Sequence, residues 1–201
     1  KMLEGAATPK GAELARKYLE KHPVKTDAEL VQESWALVSD DVTFGDLFYE
    51  KLFKIDDTLQ KSIFKDANMS TQGLKLVHSL SSVIRLILQP SMMRTALRDI
   101  GTRHAGFGIT PYDIEIAYPA MMGALKEKLG ARYSPDVAAA WDRTYRFFQE
   151  KLLEGSQTDR GQMLQREYTR RHGPRPEPSQ PPPAGKSDAE LVRETWAVVA
   201  G

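Results

Sequence analysis

The stretch Ile100–Ile109, Ile-Gly-Thr-Arg-His-Ala-Gly-Phe-Gly-Ile, contains the histidine on which the interpretation of this chain depends. His104 comes at the predicted end of a helix that carries Leu97 and Ile100 on its inner side, and two glycines stop that helix. Two interpretations are open at this point. His104 is either a ligand to a bound group or a buried histidine whose ring nitrogens are hydrogen-bonded.

The other three histidines are poorer candidates for a ligand. His22 and His172 lie among charged residues in predicted linkers, which is typical of solvated side chains. His78 shares a predicted helix with Gln72, and a net rotation of about 240° between them turns the two side chains to different faces. Because the chain has no cysteine, disulfides and thiolate ligands are excluded and histidine is its only soft metal ligand.

Helical signals run along the chain on both sides of His104. Apolar residues recur at three- and four-residue spacing, and no credible strand pattern occurs, so the fold class is predicted to be all-α. Pro90 ends one helix and Pro119 is expected to bend another. The predicted helices start at Thr26 or Asp27, Phe44, Ser70 or Thr71, Thr95, Thr110 and Ser134, with a short linker helix over Lys10–His22.

Composition narrows the class of protein. The 201 residues are 41% hydrophobic, which is enough for a packed core and too apolar for a wholly disordered chain. With 28 Lys and Arg against 27 Asp and Glu, the net charge of +1 does not favour nucleic acid as a partner. No apolar run is long enough to span a membrane and no signal peptide is recognisable, so a cytoplasmic protein is expected.

Two blocks of sequence recur at constant offsets. Gly11, Leu14, Tyr18 and His22 match Gly161, Leu164, Tyr168 and His172 at an offset of 150. The stretch 26–38 recurs as 187–199 with nine of thirteen residues identical. The chain is therefore predicted to be part of a tandem array. Residues 1–25 are the end of a preceding repeat with its linker helix, 26–155 one complete domain, 156–186 a linker that is Pro-rich over 173–186, and 187–201 a first-helix fragment of the next repeat.

Four further blocks indicate what the complete domain is. They are Glu33–Trp35, Leu47–Phe53, Gln72–Leu76 and Ile100–Ile109. In order and spacing they resemble the first-helix, second-helix, distal-helix and proximal blocks of globins. From Asp27 to Gly155 the sequence resembles a globin of the three-over-three type, most like the haem domain of flavohaemoglobins and single-domain bacterial globins.

This resemblance implies a three-over-three helical sandwich around haem b, iron protoporphyrin IX. His104 would be the metal ligand, with its other ring nitrogen donating to a carbonyl near Ile100. Tyr49 and Gln72 would bind the gas ligand as hydrogen-bond donors. Other residues implied to contact haem are Phe64, with Ile63 as the alternative, Leu76, Ile100, Phe107 and Ile109, with Lys75 and Arg103 near the propionates.

The function implied is reversible, high-affinity binding of dioxygen, for storage, with other diatomic gases as further ligands. Ile114 stands ten residues past His104, where flavohaemoglobins carry a tyrosine, and this difference favours oxygen carriage over peroxidase-like chemistry. Nitric oxide detoxification would need an external reductase, so enzyme status stays open. A haem-based gas sensor is the alternative, and a repeat that has lost haem is a third. Neighbouring globin repeats are the expected protein partners.

Overall fold

The computed structural model describes residues 9–21 and 24–176. These residues are helical with no strand among them, which confirms the all-α prediction. The helices are α1 (Pro9–Lys21), α2 (Asp27–Ala36), α3 (Phe44–Ile55), α4 (Thr58–Lys61), α5 (Met69–Arg85), α6 (Pro90–Gly106), α7 (Pro111–Leu129), α8 (Pro135–Ser156) and α9 (Asp159–His172), with a 3₁₀ turn at Gly130–Arg132. None of the described helices is long and apolar enough to cross a membrane.

Side-chain caps fix three of the predicted helix starts. At α2 the Thr26 hydroxyl accepts from the Glu29 N–H, while the Glu29 carboxylate accepts from the Thr26 N–H at 2.8 Å. Thr110 and Asp113 form the same reciprocal pair at α7. Such capping boxes satisfy N–H groups that a helix leaves unpaired in its first turn. The predicted starts at Thr26 and Thr110 are confirmed, as is the one at Ser134, which caps α8.

The boundary between α5 and α6 differs from the prediction. Helix α5 begins at Met69, one residue before the predicted start, because the Asn68 side chain accepts from the Thr71 N–H. It ends at Arg85, before the predicted Leu88. Helix α6 begins at Pro90, not Thr95. Proline suits the first position of a helix because its missing N–H would be unpaired there anyway.

Further observations concern Pro119 and the predicted linkers. Helix α7 continues through Pro119. Helix α4 was not predicted, and α9 lies inside the predicted linker 156–186. Helix α1 agrees with the predicted linker helix over Lys10–His22. The predicted fragment 187–201 and most of the Pro-rich stretch lie outside the described residues.

The helices form two packed layers. Helices α2, α5 and α6 lie over α3, α7 and α8, with the main contacts between layers made by α6 with α8, α2 with α8 and α3 with α5. At one end of the core the rings of Trp35 and Trp141 are 6.1 Å apart. Both indole N–H groups are paired, Trp141 with the Ser34 hydroxyl at 2.8 Å and Trp35 with the Ser81 hydroxyl at 2.9 Å. This arrangement is the predicted three-over-three sandwich.

Two pairs of glycines let helices from opposite layers approach closely. Where α3 crosses α5, a Cβ on Gly45 would lie 2.3 Å from the Gly73 Cα. Where α6 crosses α8, a Cβ on Gly101 would lie 2.0 Å from a carbonyl oxygen of α8, and a Cβ on Gly155 would lie equally close to one of α6. Larger side chains at these points would force the helices apart. The two crossings therefore set the distance between the helix layers that enclose the site.

Candidate functional site

An apolar cavity lies between the two layers, in contact with α3, α5, α6, α7 and α8. It brings together six of the residues predicted for the site: Tyr49, Phe64, Leu76, Ile100, His104 and Ile109. Ile63, the alternative to Phe64, does not line it. The cavity has a volume of about 160 Å³.

A second cleft adjoins this cavity between α5 and α6. Its volume is about 400 Å³, and it shares Ser79, Val83 and Ile100 with the cavity. Arg103 lines this cleft and is exposed there. Together the two volumes fall within the roughly 300–1,000 Å³ typical of pockets for small molecules and cofactors.

His104 is held in one orientation by its own helix. The ring Nδ1 donates to the Ile100 carbonyl oxygen at 2.8 Å, which confirms the predicted carbonyl partner. Burial lowers the pKa of the imidazole, because the charged form is disfavoured away from water. A neutral ring that carries its proton on Nδ1 keeps the lone pair on Nε2. Nε2 is therefore available as a ligand atom inside an apolar cavity.

Tyr49 approaches the cavity from α3, one turn after the Gly45 crossing. Its ring lies 5.2 Å from the Phe64 ring and 5.1 Å from the Phe48 ring, so the surroundings are aromatic. Burial raises the pKa of the phenol to about 12, so it stays protonated. Within residues 9–21 and 24–176 the Tyr49 hydroxyl has no hydrogen-bond partner. It is a partly buried donor able to bond a ligand.

The remaining predicted site residues lie elsewhere. Gln72 is partly buried on α5, one turn before Leu76, and does not line the cavity. Lys75 is exposed on the same helix and lines neither the cavity nor the adjoining cleft. Phe107, just beyond α6, is 62% exposed. Their proposed contacts with haem therefore stay predictions.

Sequence reasoning missed a second phenol in the cavity. Tyr145 on α8 is buried and lines the cavity, and burial, with the nearby Tyr49, raises the pKa of its hydroxyl. The signal was present, since Trp141, Tyr145, Phe148 and Leu152 recur at helical spacing on one face of α8. Periodicity identified the inner face of α8 without showing how deep along that face the cavity lies.

The start of α7 carries Ile114, ten residues past His104. Ile114 is buried and lines the cavity, whereas Tyr112 does not line it. Among the described residues the Tyr112 hydroxyl has no hydrogen-bond partner, and it is buried beside a charged cluster. In that cluster Arg175, which follows α9, pairs with the buried carboxylates of Asp56 and Asp113. Arg175 thus ties the chain after α9 to the start of α7, where Asp113 also lines the cavity.

Comparison with known proteins identifies the family. The globin family model matches residues 48–152. Flavohemoproteins of Xylella fastidiosa (strain Temecula1) and Rhizobium meliloti (strain 1021) are 28% and 27% identical over 114 and 100 residues, covering 56% and 49% of this chain. The chain spans 28% and 25% of those proteins. The anaerobic nitrite reductase HBII of Casuarina glauca is 25% identical over 130 residues, 58% of this chain and 81% of that protein.

A solved structure supports the same fold. The crystal structure of the flavohemoglobin from Malassezia yamatoensis, with bound FAD and heme, superposes with a TM-score of 0.54 at 21% identity. The match covers 72% of this chain and 37% of that one. At this identity the likeness shows the shared fold.

Proposed function

Since the family model covers more than half of its residues, the chain belongs to the globin family, and we propose that it binds haem b and reversibly holds dioxygen with high affinity. The observation that carries this proposal is His104, a neutral imidazole oriented by the Ile100 carbonyl with Nε2 available in an apolar cavity. When bound, haem supplies an iron that coordinates diatomic gases.

The metal-ligating side chains of the site suit the iron of haem and do not suit a metal ion bound by protein side chains alone. In the part of the chain that the structure describes, no group of three or more histidine, aspartate or glutamate side chains is placed to hold a metal. An iron ion at His104 would therefore take its other ligands from a porphyrin. The apolar lining from Phe64, Leu76, Ile100 and Ile109 suits the faces of that ring.

Tyr49 is the residue that we propose binds the gas ligand. With haem bound, the neutral Tyr49 phenol would donate a hydrogen bond to a gas ligand that carries partial negative charge. Such a bond contributes about 0.5–1.5 kcal/mol net, and more to a charged acceptor in a dry site. Gln72 would be a second donor from α5. Two donors are expected to slow release by one to two orders of magnitude, since each 1.4 kcal/mol is about tenfold.

Polar groups near the cleft would orient the cofactor. Arg103 lies at the cleft between α5 and α6, where the propionates of a haem would meet solvent. Lys75 is proposed as a second partner, and Phe107 as an edge contact. Exposed pairs of this kind contribute about 0–1 kcal/mol, so these residues orient the ring more than they retain it.

The two repeated sequence blocks support a proposal about the larger protein. Residues 26–155 form one globin repeat of a tandem array in the cytoplasm, with neighbouring repeats as partners. Oxygen storage follows from tight binding. Nitric oxide detoxification would require a source of electrons, for which we propose an external reductase.

A gas sensor is the second candidate, and one contact favours it. Helix α9 packs on α6 and on the turn after His104, where the Leu164 side chain lies against Gly106 and the Tyr168 ring lies over Gly108. A change in the position of His104 would therefore displace α9, the segment that leads out of the domain.

Titration of the purified chain with haemin tests the proposal. We expect a Soret band that saturates at one equivalent of haemin, followed by reversible oxygenation after reduction. Matched titration of a His172→Ala variant should be unchanged, because His172 is exposed on α9 and lines neither the cavity nor the cleft. Absence of a saturable Soret band would overturn haem binding, and irreversible oxidation without an oxygenated spectrum would overturn oxygen carriage.

A further inference from the structure

Helix α9 sits in a groove formed by the end of α6 and the turn Ala105–Ile109. Its Leu164 side chain lies against Gly106, with a distance of 3.5 Å between the Leu164 Cβ and a Cβ built on Gly106. Its Tyr168 ring covers Gly108, which has a φ of +82° and no room for a side chain. Because the groove is lined by glycines, it accepts large side chains from a helix laid across it.

Polar contacts complete this interface. The Gln165 amide nitrogen, in the orientation that its surroundings require, donates to the carbonyl oxygens of Ala105 at 2.9 Å and Ile109 at 3.1 Å. At the start of α9, a Cβ on Gly161 would lie 2.4 Å from the Ser156 carbonyl oxygen, so glycine is required where α9 leaves α8. The groove and the helix are thus complementary at several points.

Helix α1 repeats the residues by which α9 docks. Gly11, Leu14 and Tyr18 stand where α9 has Gly161, Leu164 and Tyr168, and Thr8 precedes α1 as the capping Thr158 precedes α9. Leu14 is nevertheless 61% exposed, whereas Leu164 is partly buried against the groove. Leu14, the counterpart of the leucine by which α9 packs in the groove, thus faces solvent in this chain.

We propose that α1 docks in the α6 groove of a second globin unit of the same kind, in the place that α9 takes here. This rests on the repeat arrangement proposed above, in which the second unit precedes this one. The groove is already an interface for such a helix within this chain, and α1 carries the leucine and tyrosine that fill it. In its own chain the groove is filled by α9.

The same comparison predicts that α1 binds more weakly than α9. Position 15 is alanine where α9 has Gln165, so α1 lacks the two hydrogen bonds to the turn. Helix α9 is also tethered to its groove through α8, which raises its effective concentration there. Docking of α1 in a second copy of this chain therefore requires that α9 be weakened.

Disulfide trapping tests the proposal. Because the chain has no native cysteine, any disulfide must join the introduced cysteines. The Leu164–Gly106 distance of 3.5 Å is in the range that a disulfide bridges, so L164C with G106C in one chain should oxidise to a linked monomer. The test mixes an L14C chain with a G106C chain that also carries L164D, which releases α9. The matched control replaces L14C with V24C, a substitution at a residue that is 81% exposed and follows α1.

We expect the L14C chain to link to the G106C, L164D chain at least tenfold faster than the V24C chain does. Equal rates would overturn docking by α1, and linkage within one chain carrying L14C, G106C and L164D would overturn the assignment to a second unit. If L164D lowers helical circular dichroism, L164A releases α9 without a charge and the same comparison applies. None of these side chains lines the cavity, so the Soret band reports separately on haem binding.

Discussion

The two sides of the cavity, one with Tyr49 and the other with His104, are built alike but differ in whether the polar side chain has a hydrogen-bond partner. Each rests on a crossing of two helices at glycines, Gly45 with Gly73 on the Tyr49 side and Gly101 with Gly155 on the His104 side. The His104 ring already has its partner, a carbonyl of the same helix. The Tyr49 hydroxyl has none among the described residues, and Gln72 lies outside the cavity. The difference teaches that the orientation of the His104 ring is set by local helix geometry, whereas the Tyr49 hydroxyl and the Gln72 amide would gain partners only from the gas ligand that we propose.

The largest effect should come from adding a side chain at a glycine where two helices cross. Replacing Gly101 by alanine puts a methyl group 2.0 Å from the Leu152 carbonyl oxygen, so α6 and α8 must separate. We expect the free energy of unfolding to fall by about 3 kcal/mol, measured by urea denaturation. Gly45→Ala, at the crossing on the other wall, should cost a similar amount.

Gly106→Ala is the matched control on the same helix as Gly101. A Cβ there meets Leu164 at an ordinary 3.5 Å, so stability should stay unchanged or rise by up to about 1 kcal/mol. Equal stability of the Gly101→Ala and Gly106→Ala variants would show that the crossing does not hold the wall on the His104 side.

Removal of the Tyr49 hydroxyl should have the next largest effect. Tyr49→Phe keeps the ring packed against Phe48 and Phe64 but removes the unpaired donor. We expect oxygen dissociation, followed by stopped flow, to become about tenfold faster, equivalent to about 1.4 kcal/mol. Tyr145→Phe removes the other phenol of the cavity and should change the rate less than about twofold. Reversal of these two effects would place the donor on α8.

Gln72 tests whether a side chain outside the cavity turns inward when a ligand binds. Gln72→Ala should speed oxygen release about threefold, since a neutral hydrogen bond contributes about 0.5–1.5 kcal/mol. Gln60→Ala on α4, where the side chain is exposed, is the control and should not change the rate. Identical rates for both variants would leave Tyr49 as the sole donor.

The smallest effect is expected at the cleft. Arg103→Gln removes an exposed charge, so haem loss to an acceptor protein should quicken by no more than about fivefold. Arg98→Gln is the control on the same helix, where Arg98 faces Glu154. A much larger effect at Arg103 would mean that the charge, and not the His104 ligand, retains the cofactor.

The fold could be predicted from the sequence wherever a signal was local. Thr26, Thr110 and Ser134 cap helices, and a cap needs only residues within one turn. The prediction was wrong at the start of α6, because Pro90 was interpreted as the end of α5 when it is the first residue of α6. Proline signals a boundary without telling on which side the helix lies.

Prediction of the site was limited for a related reason. Helical spacing shows which face of α5 or α8 points inward, but the position of the cavity along that face depends on where the helices cross. Spacing therefore put Gln72 and Leu76 on one face without showing that only Leu76 reaches the cavity. It also gave no reason to choose Tyr145 over its neighbours on α8. Those answers depend on Gly45 and Gly101, whose contacts are distant in sequence.

Replacement of the proposed iron ligand tests the central claim most directly. The His104→Gly variant should lose the spectrum of ferrous, histidine-ligated haem and recover it when free imidazole fills the vacated space. A His172→Gly variant, which changes a histidine exposed on α9, should keep the spectrum without imidazole. An unchanged spectrum in His104→Gly, with no response to imidazole, would contradict the account, because the iron would then be held by another residue.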